Sequence, residues 1–335
     1  MLSKLMRGIL IMTKWVFGIL ACILVTISFL FVRLIVLNST ADENAVTKTP
    51  SCHLQIAVQD NKEYFWTKFE EGAQAAGDAF NAYVEFVPIS KLNSEELRNM
   101  VNKAIFSNVD GIALQAADVD ETKSSIINAS SSGLEVVTYE SGNSLIPEVP
   151  TIGSNNYDIG LLAGQMAAEA VGENARAAVV FNKVGGLSDE KQQRLILEGV
   201  IAGADSTGFE IVGTYILNTE LFEADNKSRQ LLNNNPNVII CLDERSTPAI
   251  AQMLVSQDRV RNVSLIGYGA MPQTLDYIER GVIFGSVCPD AFKIGFDTVR
   301  YLTQLLNKNQ VSDLIYPEQQ RIDINNVADF RQVDN

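Results

Sequence analysis

Residues 54–59 read LQIAVQ, and residues 64–80 read YFWTKFEEGAQAAGDAF. The first run is short and apolar, which predicts a buried strand. The second has apolar residues at helical spacing, namely Phe65, Phe69, Ala73, Ala76 and Phe80, which predicts a helix packed through one face. Another apolar run, Tyr83–Val87, follows at once. A strand, a helix and a second strand in this order predict a parallel βαβ unit, and this unit decides the fold.

The same alternation continues to about residue 153 and then begins again. Further strands are predicted at Asp110–Gln115, Leu134–Tyr139, Ala177–Phe181, Glu210–Ile216, Val238–Leu242, Val263–Ile266, Val282–Val287 and Ile322–Ile324. Further helices are predicted at Ser94–Phe106, Glu121–Ser131, Asn156–Val171, Asp189–Asp205, Glu223–Leu232, Thr247–Ser256, Gln273–Arg280 and Phe292–Leu306. Strands that are apolar throughout are typical of parallel sheets covered on both faces. We therefore predict an α/β fold with two doubly wound parallel-sheet lobes.

Polar side chains gather where the predicted strands end. Open parallel sheets bind their ligands outside the carboxyl ends of the strands. In this chain those ends are Gln59, Gln115, Tyr139-Glu140, Phe181-Asn182, Leu242-Asp243 and Tyr268. Most of them carry an amide, a carboxylate or a phenol, all of which bind hydrogen-bonding ligands. The sequence therefore predicts a site for a small polar ligand.

An apolar segment precedes the α/β pattern. It runs from Trp15 to Val32, resumes after Arg33 and ends at Leu37. Arg33 costs at most about 3 kcal/mol in a membrane and can reach the headgroups near the end of the segment. Basic residues precede the segment, which predicts a cytoplasmic N-terminus: Lys4, Arg7 and Lys14. We predict a retained single-pass anchor in residues 1–37 and a polar tether in residues 38–51; the alternative is a secretory signal cleaved near Ser39-Thr40-Ala41.

Composition excludes several classes of function. The formal net charge of −14 argues against a nucleic-acid partner, which requires clustered Lys and Arg. His53, the only histidine, lies at the start of the first strand, so His-based triads and most metal sites are excluded. The glycines at Gly72 and Gly77 lie inside a predicted helix and do not form a dinucleotide fingerprint. We expect no enzyme activity, no catalytic residue, no cofactor and no metal.

Several ordered motifs carry a family resemblance. They are Tyr64-Phe65-Trp66 with Gly72, Val109-Asp110-Gly111-Ile112 leading to Gln115, Ile152-Gly153-Ser154-Asn155-Asn156 with Gly160 and Gly164, Leu265-Ile266-Gly267-Tyr268, and Pro289-Asp290 with Ile294-Gly295. From about Leu54 to Ile324 the chain resembles the type I periplasmic binding proteins, especially the ribose- and galactose-type sugar binders. The repressors that share this fold carry an N-terminal helix-turn-helix, where this chain has its apolar segment.

The resemblance implies two lobes joined by a hinge of three crossing strands. The crossings are expected near Gly153-Ser154, near Cys288-Pro289 and between Asp313 and Glu318. The first lobe would comprise residues 52–153 plus 289–315, and the second residues 154–288 plus 316–330. The ligand would lie between lobes that close because it contacts both of them only in the closed form.

The resemblance also implies a set of ligand-binding residues. Phe65 and Trp66 fall where the family stacks aromatic rings on a sugar, and we assign Trp66 to the ligand and Phe65 to the core. The family has an Asn at the position of Gln115 and an Asp at the position of Glu140. The full expected set is Gln59, Phe65, Trp66, Gln115, Glu140, Ser154, Asn182, Arg194, Asp243, Tyr268 and Asp290.

Four positions depart from the family pattern of ribose binders. Ser141 and Ile196 replace arginines, with Arg194 close to the second; Gly269 replaces an aspartate after Tyr268; and Pro289, next to Asp290, replaces the hinge glutamine. These departures argue against ribose or galactose itself, and the ligand stays open between a different pentose, a hexose, a modified sugar and a non-sugar polar solute.

The resemblance implies a membrane-anchored extracytoplasmic solute-binding protein. It would bind a small polar ligand, most readily a monosaccharide, and deliver it to an ABC importer. The alternative is a ligand-sensing partner of a membrane histidine kinase. Both alternatives place the binding domain outside the cell membrane, and neither involves nucleic acid.

Overall fold

The computed structural model describes residues 26, 28, 33, 49–59, 64–90, 94–115, 120–139, 149–182, 190–205, 208–217 and 230–331. The chain divides into two units, Met1–Thr49 and Pro50–Asn335. In the first unit, Thr26, Ser28 and Arg33 are helical and exposed. The rest of the predicted anchor lies outside the described residues. Within the described residues, no helix has the length and hydropathy needed to cross a membrane.

The second unit begins with a six-stranded sheet. Its strands are β1 (Cys52–Gln59), β2 (Ala82–Ile89), β3 (Gly111–Gln115), β4 (Glu135–Tyr139), β5 (Thr151–Ile152) and β11 (Leu314–Ile315). Their order across the sheet is β11-β5-β4-β3-β1-β2, and every pair is parallel. Because the strands are parallel, their carboxyl ends share one edge, and Gln59 and Gln115 end neighbouring strands there.

A second six-stranded sheet follows. It contains β6 (Arg176–Asn182), β7 (Glu210–Leu217), β8 (Val238–Cys241), β9 (Ser264–Tyr268), β10 (Gly285–Pro289) and β12 (Gln319–Asp323), in the order β12-β10-β9-β8-β6-β7. All pairs are parallel except β10 with β12, which is antiparallel. The predicted α/β class with two parallel-sheet lobes is confirmed. We call the part built on the first sheet the first lobe and the part built on the second sheet the second lobe.

Helices connect the strands in both lobes. They are α1 (Tyr64–Phe80), α2 (Ser94–Phe106), α3 (Asp120–Ser131), α4 (Asn156–Val171), α5 (Glu190–Ala204), α6 (Ser246–Ser256), α7 (Pro272–Glu279) and α8 (Ala291–Leu306), followed by a 3₁₀ turn at Val327–Phe330. Two buried apolar clusters fill each lobe. In the first lobe, Phe69 on α1 and Leu302 on α8 belong to one cluster, while Met100 on α2 and Ile126 on α3 belong to the other. Each sheet therefore has a buried core on both faces.

The chain passes between the sheets three times. It leaves the first sheet after β5 and reaches the second through Gly153, Ser154 and α4. It returns after β10, where Asp290 precedes α8, a helix that packs on α1 of the first lobe. It crosses again through residues 316–318, between β11 and β12. The crossings implied by the resemblance lie near the same residues, and the lobe boundaries drawn from them stay a prediction.

Most predicted elements occur within a few residues of their expected bounds. The two-residue strands β5 and β11 were not predicted as strands, because so short a segment has no measurable periodicity. Most of the predicted helix Glu223–Leu232 lies outside the described residues.

Helices α4 and α5 pack backbone to backbone. A Cβ atom on Gly160, Gly164, Gly199 or Gly203 would come closer than 3.0 Å to a backbone carbonyl oxygen of the facing helix. Real Cβ atoms essentially never approach so closely, so the separation of the two helices depends on these glycines. The contact holds α5 against α4, the helix that follows the first crossing into the second lobe.

We expect Gly199→Ala to destabilise the protein by about 1–3 kcal/mol, because the new methyl group would meet the carbonyl oxygen of Tyr157. In an exposed helix the same change would stabilise the protein by at most about 1 kcal/mol. A loss of stability would therefore indicate close packing of the two helices. Urea unfolding followed by circular dichroism measures it. Ala202→Leu, on an exposed part of the same helix, is the control and should leave the unfolding midpoint nearly unchanged. A stabilised Gly199→Ala protein would contradict this packing.

Candidate functional site

A cavity lies at the carboxyl ends of strands from both sheets. Its volume is about 200 Å³, below the ~300–1,000 Å³ of typical ligand pockets, so it suits a small ligand. The described residues that line it are Gln59, Tyr64, Phe65, Trp66, Gln115, Glu244, Tyr268, Gly269, Cys288 and Pro289. The first five belong to the first lobe and the others to the second lobe or the crossing after β10. The cavity therefore lies between the lobes, where the sequence predicts the ligand.

The first turn of α1 forms an aromatic wall. Trp66 contacts Phe65 edge to face, with ring centroids 5.1 Å apart, and its centroid lies 5.8 Å from that of Phe69. Trp66 is only 4% exposed and belongs to the first-lobe core, whereas Phe65 is half-buried against that core. We assigned Phe65 to the core and Trp66 to the ligand, but Trp66 is the more buried of the two. The reason is that Trp66 shares the core-facing side of the helix with Phe69 and Ala73. Both rings nevertheless line the cavity.

Two amide side chains meet at the edge of the first sheet. Gln59 Nε2 donates a hydrogen bond of 2.9 Å to Gln115 Oε1. Neighbouring parallel strands end with these residues, and so the pairing follows directly from the strand order. An amide has two N–H donors and a carbonyl with two lone pairs, so a pair joined by one bond can also bind ligand hydroxyl groups.

The end of β9 is held in place by two buried hydroxyls. Thr247 Oγ1 accepts a hydrogen bond of 3.0 Å from the backbone N–H of Tyr268, and Ser286 Oγ donates one of 2.6 Å to the carbonyl of Gly269. Gly269 has a φ of +78°, a left-handed conformation that favours glycine. The Tyr268 ring is therefore presented to the cavity by a rigid backbone.

Glu244 reaches the cavity across this glycine. A Cβ atom on Gly269 would lie 2.7 Å from Glu244 Cγ and 2.9 Å from its Oε1. Any side chain at position 269 would therefore displace the Glu244 carboxylate. The sequence prediction selected Asp243 and passed over Glu244.

Two ionisable groups beside the cavity stay protonated. Burial raises the pKa of the Tyr64 phenol, and the nearby Cys288 raises it further. Burial also raises the pKa of the Cys288 thiol, with further contributions from Glu244 and Asp290. Cys288 is therefore a weak nucleophile and Tyr64 a neutral hydrogen-bonding group at physiological pH. In the described part of the chain, no group of three or more His, Cys, Asp or Glu residues could hold a metal ion.

Two predicted carboxylates accept hydrogen bonds from the first turns of helices. Asp243 Oδ2 accepts a hydrogen bond of 2.6 Å from the backbone N–H of Ser246 at the start of α6. Asp290 Oδ1 accepts one of 2.9 Å from the backbone N–H of Lys293, and its Oδ2 accepts one of 3.1 Å from Gln320 Nε2. Neither carboxylate is among the described lining residues. Their contact with ligand stays a prediction.

The remaining predicted residues lie apart or undescribed. Ser154 is buried at the first crossing, and Arg194 is exposed on α5; neither lines the described cavity. Glu140 lies outside the described residues, as does the side chain of Asn182. Five of the predicted residues are thus brought together, namely Gln59, Phe65, Trp66, Gln115 and Tyr268.

The sequence prediction missed Tyr64 and Glu244 as lining residues. Tyr64 precedes the aromatic pair and was read only as part of a motif. Glu244 comes three residues after β8, and only the short distance between its side chain and Gly269 shows that this side chain points towards the cavity. Gly269, Cys288 and Pro289 were noted in the sequence but not assigned to the site.

Comparisons with known proteins agree with this architecture. Residues 55–310 match a family model described as a periplasmic binding protein domain. The structure of GanP, a glucose-galactose binding protein from Geobacillus stearothermophilus, is 21% identical, with a TM-score of 0.69; the match covers 82% of this chain and 98% of that one. AraP, an arabinose binding protein from the same organism, is 18% identical, with a TM-score of 0.75 and coverage of 84% and 100%.

A third similar structure is the XylFII-LytSN complex. The matched chain is 20% identical, with a TM-score of 0.68 and coverage of 82% of this chain and 98% of that one. At these identities the solved structures establish the fold alone. No curated protein matches the chain by sequence.

We expect Trp66→Ala to lower the free energy of unfolding by about 3–5 kcal/mol, because it removes a nearly fully buried side chain and leaves a cavity in the core. Phe65→Ala should cost only about 1–2 kcal/mol, since that ring is half-buried. Phe80→Ala, on the exposed end of the same helix, is the control and should cost less than either. Urea unfolding curves of the three variants test this order. Equal losses for Phe65→Ala and Trp66→Ala would contradict the described burial.

Proposed function

The chain belongs to the periplasmic binding protein family, and from this premise we propose that it is an extracytoplasmic solute-binding protein that holds a monosaccharide between its lobes. The observation that carries the proposal is the cavity of about 200 Å³ lined by residues of both lobes. The proteins of similar fold that are named for glucose, galactose and arabinose support a sugar as the ligand class. The proposal includes no catalytic step.

The chemistry of the cavity wall favours a sugar. The C–H face of a sugar ring is apolar and packs on aromatic rings such as Phe65 and Trp66. Its hydroxyl groups both donate and accept hydrogen bonds, and the amides of Gln59 and Gln115 match them. Tyr268 contributes a phenol from the second lobe, in addition to the Tyr64 phenol of the first lobe. A ligand of this kind has a partner group on every described side of the cavity.

Closure of the lobes follows from the position of the crossings. We take the first lobe as residues 52–153 plus 289–315 and the second as residues 154–288 plus 316–330. The segments at 153–155, 290 and 316–318 would flex while the sheets stay rigid. The ligand drives closure only through its extra contacts in the closed form, so the free energy of closure is bounded by those contacts. Glu140 and the side chain of Asn182 stay in the proposed site as predictions.

The N-terminal segment supports a membrane location. The apolar run from Trp15 to Leu37 would anchor the protein with residues 1–14 in the cytoplasm and the binding domain outside. Residues 38–51 would form the tether. Anchoring raises the effective concentration of the binding domain at a membrane partner.

Two membrane partners fit an anchored binding protein. Delivery of the sugar to an ABC importer is the first, and contact with a membrane histidine kinase for sensing is the second. The XylFII-LytSN complex supports the second alternative to this extent: a protein of the same fold forms a complex with another protein. Reconstitution with the permease would show ligand-dependent transport in the first case, whereas in the second case the kinase would change activity with the ligand.

We expect the melting temperature of the full-length protein in mild detergent to rise with a neutral monosaccharide. At a ligand concentration 100-fold above Kd, linkage adds about 2.7 kcal/mol to the unfolding free energy. A thermal-shift panel of glucose, galactose, arabinose, xylose, ribose and allose measures the effect. Sucrose and glycerol at equal mass concentration are controls for non-specific stabilisation. If no sugar in the panel raises the melting temperature more than these controls do, the proposal is refuted, but the fold assignment is unaffected.

We expect the full-length protein to stay in the membrane fraction after washes with high salt and carbonate. Deletion of residues 1–37 should release it, because the remaining chain lacks an apolar run of membrane-spanning length. Fractionation and immunoblotting measure both forms. A full-length protein that appears shortened by about 40 residues in the soluble fraction would establish cleavage near Ser39-Thr40-Ala41.

A further inference from the structure

The edge of the first sheet opposite the ligand cavity carries most of the exposed apolar side chains of the first lobe. The strands are parallel, so their amino ends share this edge, and the helices that precede β2, β3, β4 and β11 end there. We call it the lower edge; it comprises residues 49–52, 78–83, 103–110, 126–135, 149–151 and 305–314. Of the six large apolar side chains described as exposed in the first lobe, five lie on it, namely Phe80, Tyr83, Phe106, Ile127 and Leu314.

Two aromatic side chains project furthest from the lower edge. Phe106, the last residue of α2, is 86% exposed, and Tyr83, near the start of β2, is 53% exposed. Single exposed apolar residues are common on proteins, but a group of them on one edge indicates an interaction surface. Aromatic rings, tyrosine above all, are enriched where hydrocarbon meets water in a bilayer.

A cavity lies at the same edge. Its volume is about 400 Å³, and it lies between the ends of α3 and α8 and the starts of β4 and β5. Most of its described lining residues are apolar, namely Ile126, Ile127, Leu134, Val136, Val149, Pro150 and Leu305. The only charged one among them is Glu135. A pocket of this size and lining suits a hydrocarbon chain better than a polar solute.

The lower edge has little excess charge. Its ionisable residues are two lysines and four acids, namely Lys103, Lys308, Asp78, Asp110, Glu135 and Asp313. Binding to anionic headgroups through charge requires a cluster of Lys and Arg, which this edge lacks. Any contact that it makes with a bilayer therefore depends on apolar side chains and should be insensitive to salt.

The chain enters the domain at the lower edge. The backbone N–H of Ser51 donates a hydrogen bond of 2.7 Å to the carbonyl of Asn81, and Ser51 Oγ donates one of 2.9 Å to the same oxygen. The proposed tether, residues 38–51, spans at most about 50 Å even when fully extended. A domain tethered there meets the bilayer first with this edge. Because the tether raises the effective concentration of the edge at the lipid surface, weak apolar contacts are enough to populate a docked state.

We propose that the lower edge of the first lobe docks on the lipid surface of the membrane. The rings of Tyr83 and Phe106 enter the boundary between headgroups and acyl chains, and the cavity beside Ile127 receives hydrocarbon. This inference rests on the membrane anchoring in the proposed function and goes beyond it, because a tether alone leaves the orientation of the domain open. In the docked state the ligand cavity, at the opposite edge of the first sheet, faces away from the lipid.

Quenching of tryptophan fluorescence by lipid in the full-length protein tests the proposal. The protein is reconstituted into phosphatidylcholine vesicles, either plain or brominated on the upper acyl carbons, where bromine quenches nearby indoles. Phe106→Trp adds one indole to Trp15 and Trp66 of the parent protein, which supplies the background. Apolar faces docked on bilayers are buried about 5–10 Å deep, so the added emission should fall by at least about twofold in the brominated vesicles.

Phe292→Trp is the matched control. Phe292 is exposed on the same lobe but lies at the start of α8, away from the lower edge, so its added emission should be nearly equal in both kinds of vesicle. Salt at about 1 M, where the Debye length is about 3 Å, should leave the quenching of Phe106→Trp unchanged. Equal quenching at the two positions, or loss of quenching in salt, overturns the proposal.

A second reporter separates docking of the whole edge from a local contact. Ile127 lines the cavity and is exposed, so Ile127→Trp places an indole there. Adding Phe106→Asp should reduce the quenching of this reporter by at least about threefold, because a carboxylate is strongly disfavoured in the acyl region. Position 106 is exposed, so the melting temperature should not change. Undiminished quenching would mean that Phe106 does not hold the edge on the bilayer, which also overturns the proposal.

The outcomes separate this inference from the proposed function. A full-length protein that stays in the membrane fraction, while Phe106→Trp is quenched no more than Phe292→Trp, refutes lipid docking alone and leaves the anchor in place. A full-length protein that leaves the membrane fraction in carbonate refutes the anchor and docking together. Failure of the sugar panel would refute the ligand class and leave the docking result unaffected.

Discussion

The close contact between α1 and α8 is the constraint on which the site depends. A Cβ atom on Gly72 would collide with the carbonyl group of Phe292, and one on Gly295 would collide with that of Phe69. The two helices therefore pack at the distance that bare backbone allows. The first turn of α1 carries the aromatic wall, and α8 begins directly after the crossing from β10. The position of the wall is thus set by a helix that starts at the boundary between the lobes.

This arrangement links the cavity to the crossing through rigid parts. Asp290 accepts hydrogen bonds from the first turn of α8 and from Gln320 on β12, so its carboxylate joins an element of each lobe. Cys288 and Pro289, immediately before it, line the cavity. A ligand that contacts them lies beside the segment about which the lobes would turn, so small changes there translate into larger displacements of the lobe ends.

The sequence predicted the parts of the site that follow from a parallel sheet. Gln59 and Gln115 end parallel strands, so their position at one edge could be predicted; that β1 and β3 are neighbours is decided by the strand order of the structure. The choice between Asp243 and Glu244 could not be made in this way, because either carboxylate could cap α6 and only packing against Gly269 decides. The relative burial of Phe65 and Trp66 could not be predicted for a similar reason. Adjacent residues on a helix differ by about 100° in direction, and the side that faces the sheet depends on how α1 packs on α8. The strands β5 and β11 are too short for any periodicity, and their pairing is set by the crossings.

The division of chemistry between the lobes is consistent with the proposed ligand class. The first lobe presents aromatic rings, among them the Tyr64 phenol, and uncharged amides, whereas the second presents a carboxylate and the Tyr268 phenol. An apolar ligand would gain contacts mainly from the first lobe, and a small cation mainly from the second, so neither would strongly favour the closed form. A ligand closes the lobes only to the extent that it binds the closed form more tightly than the open one. This division supports the proposed ligand class, because a neutral sugar ring has an apolar face for one lobe and hydroxyl groups for the other.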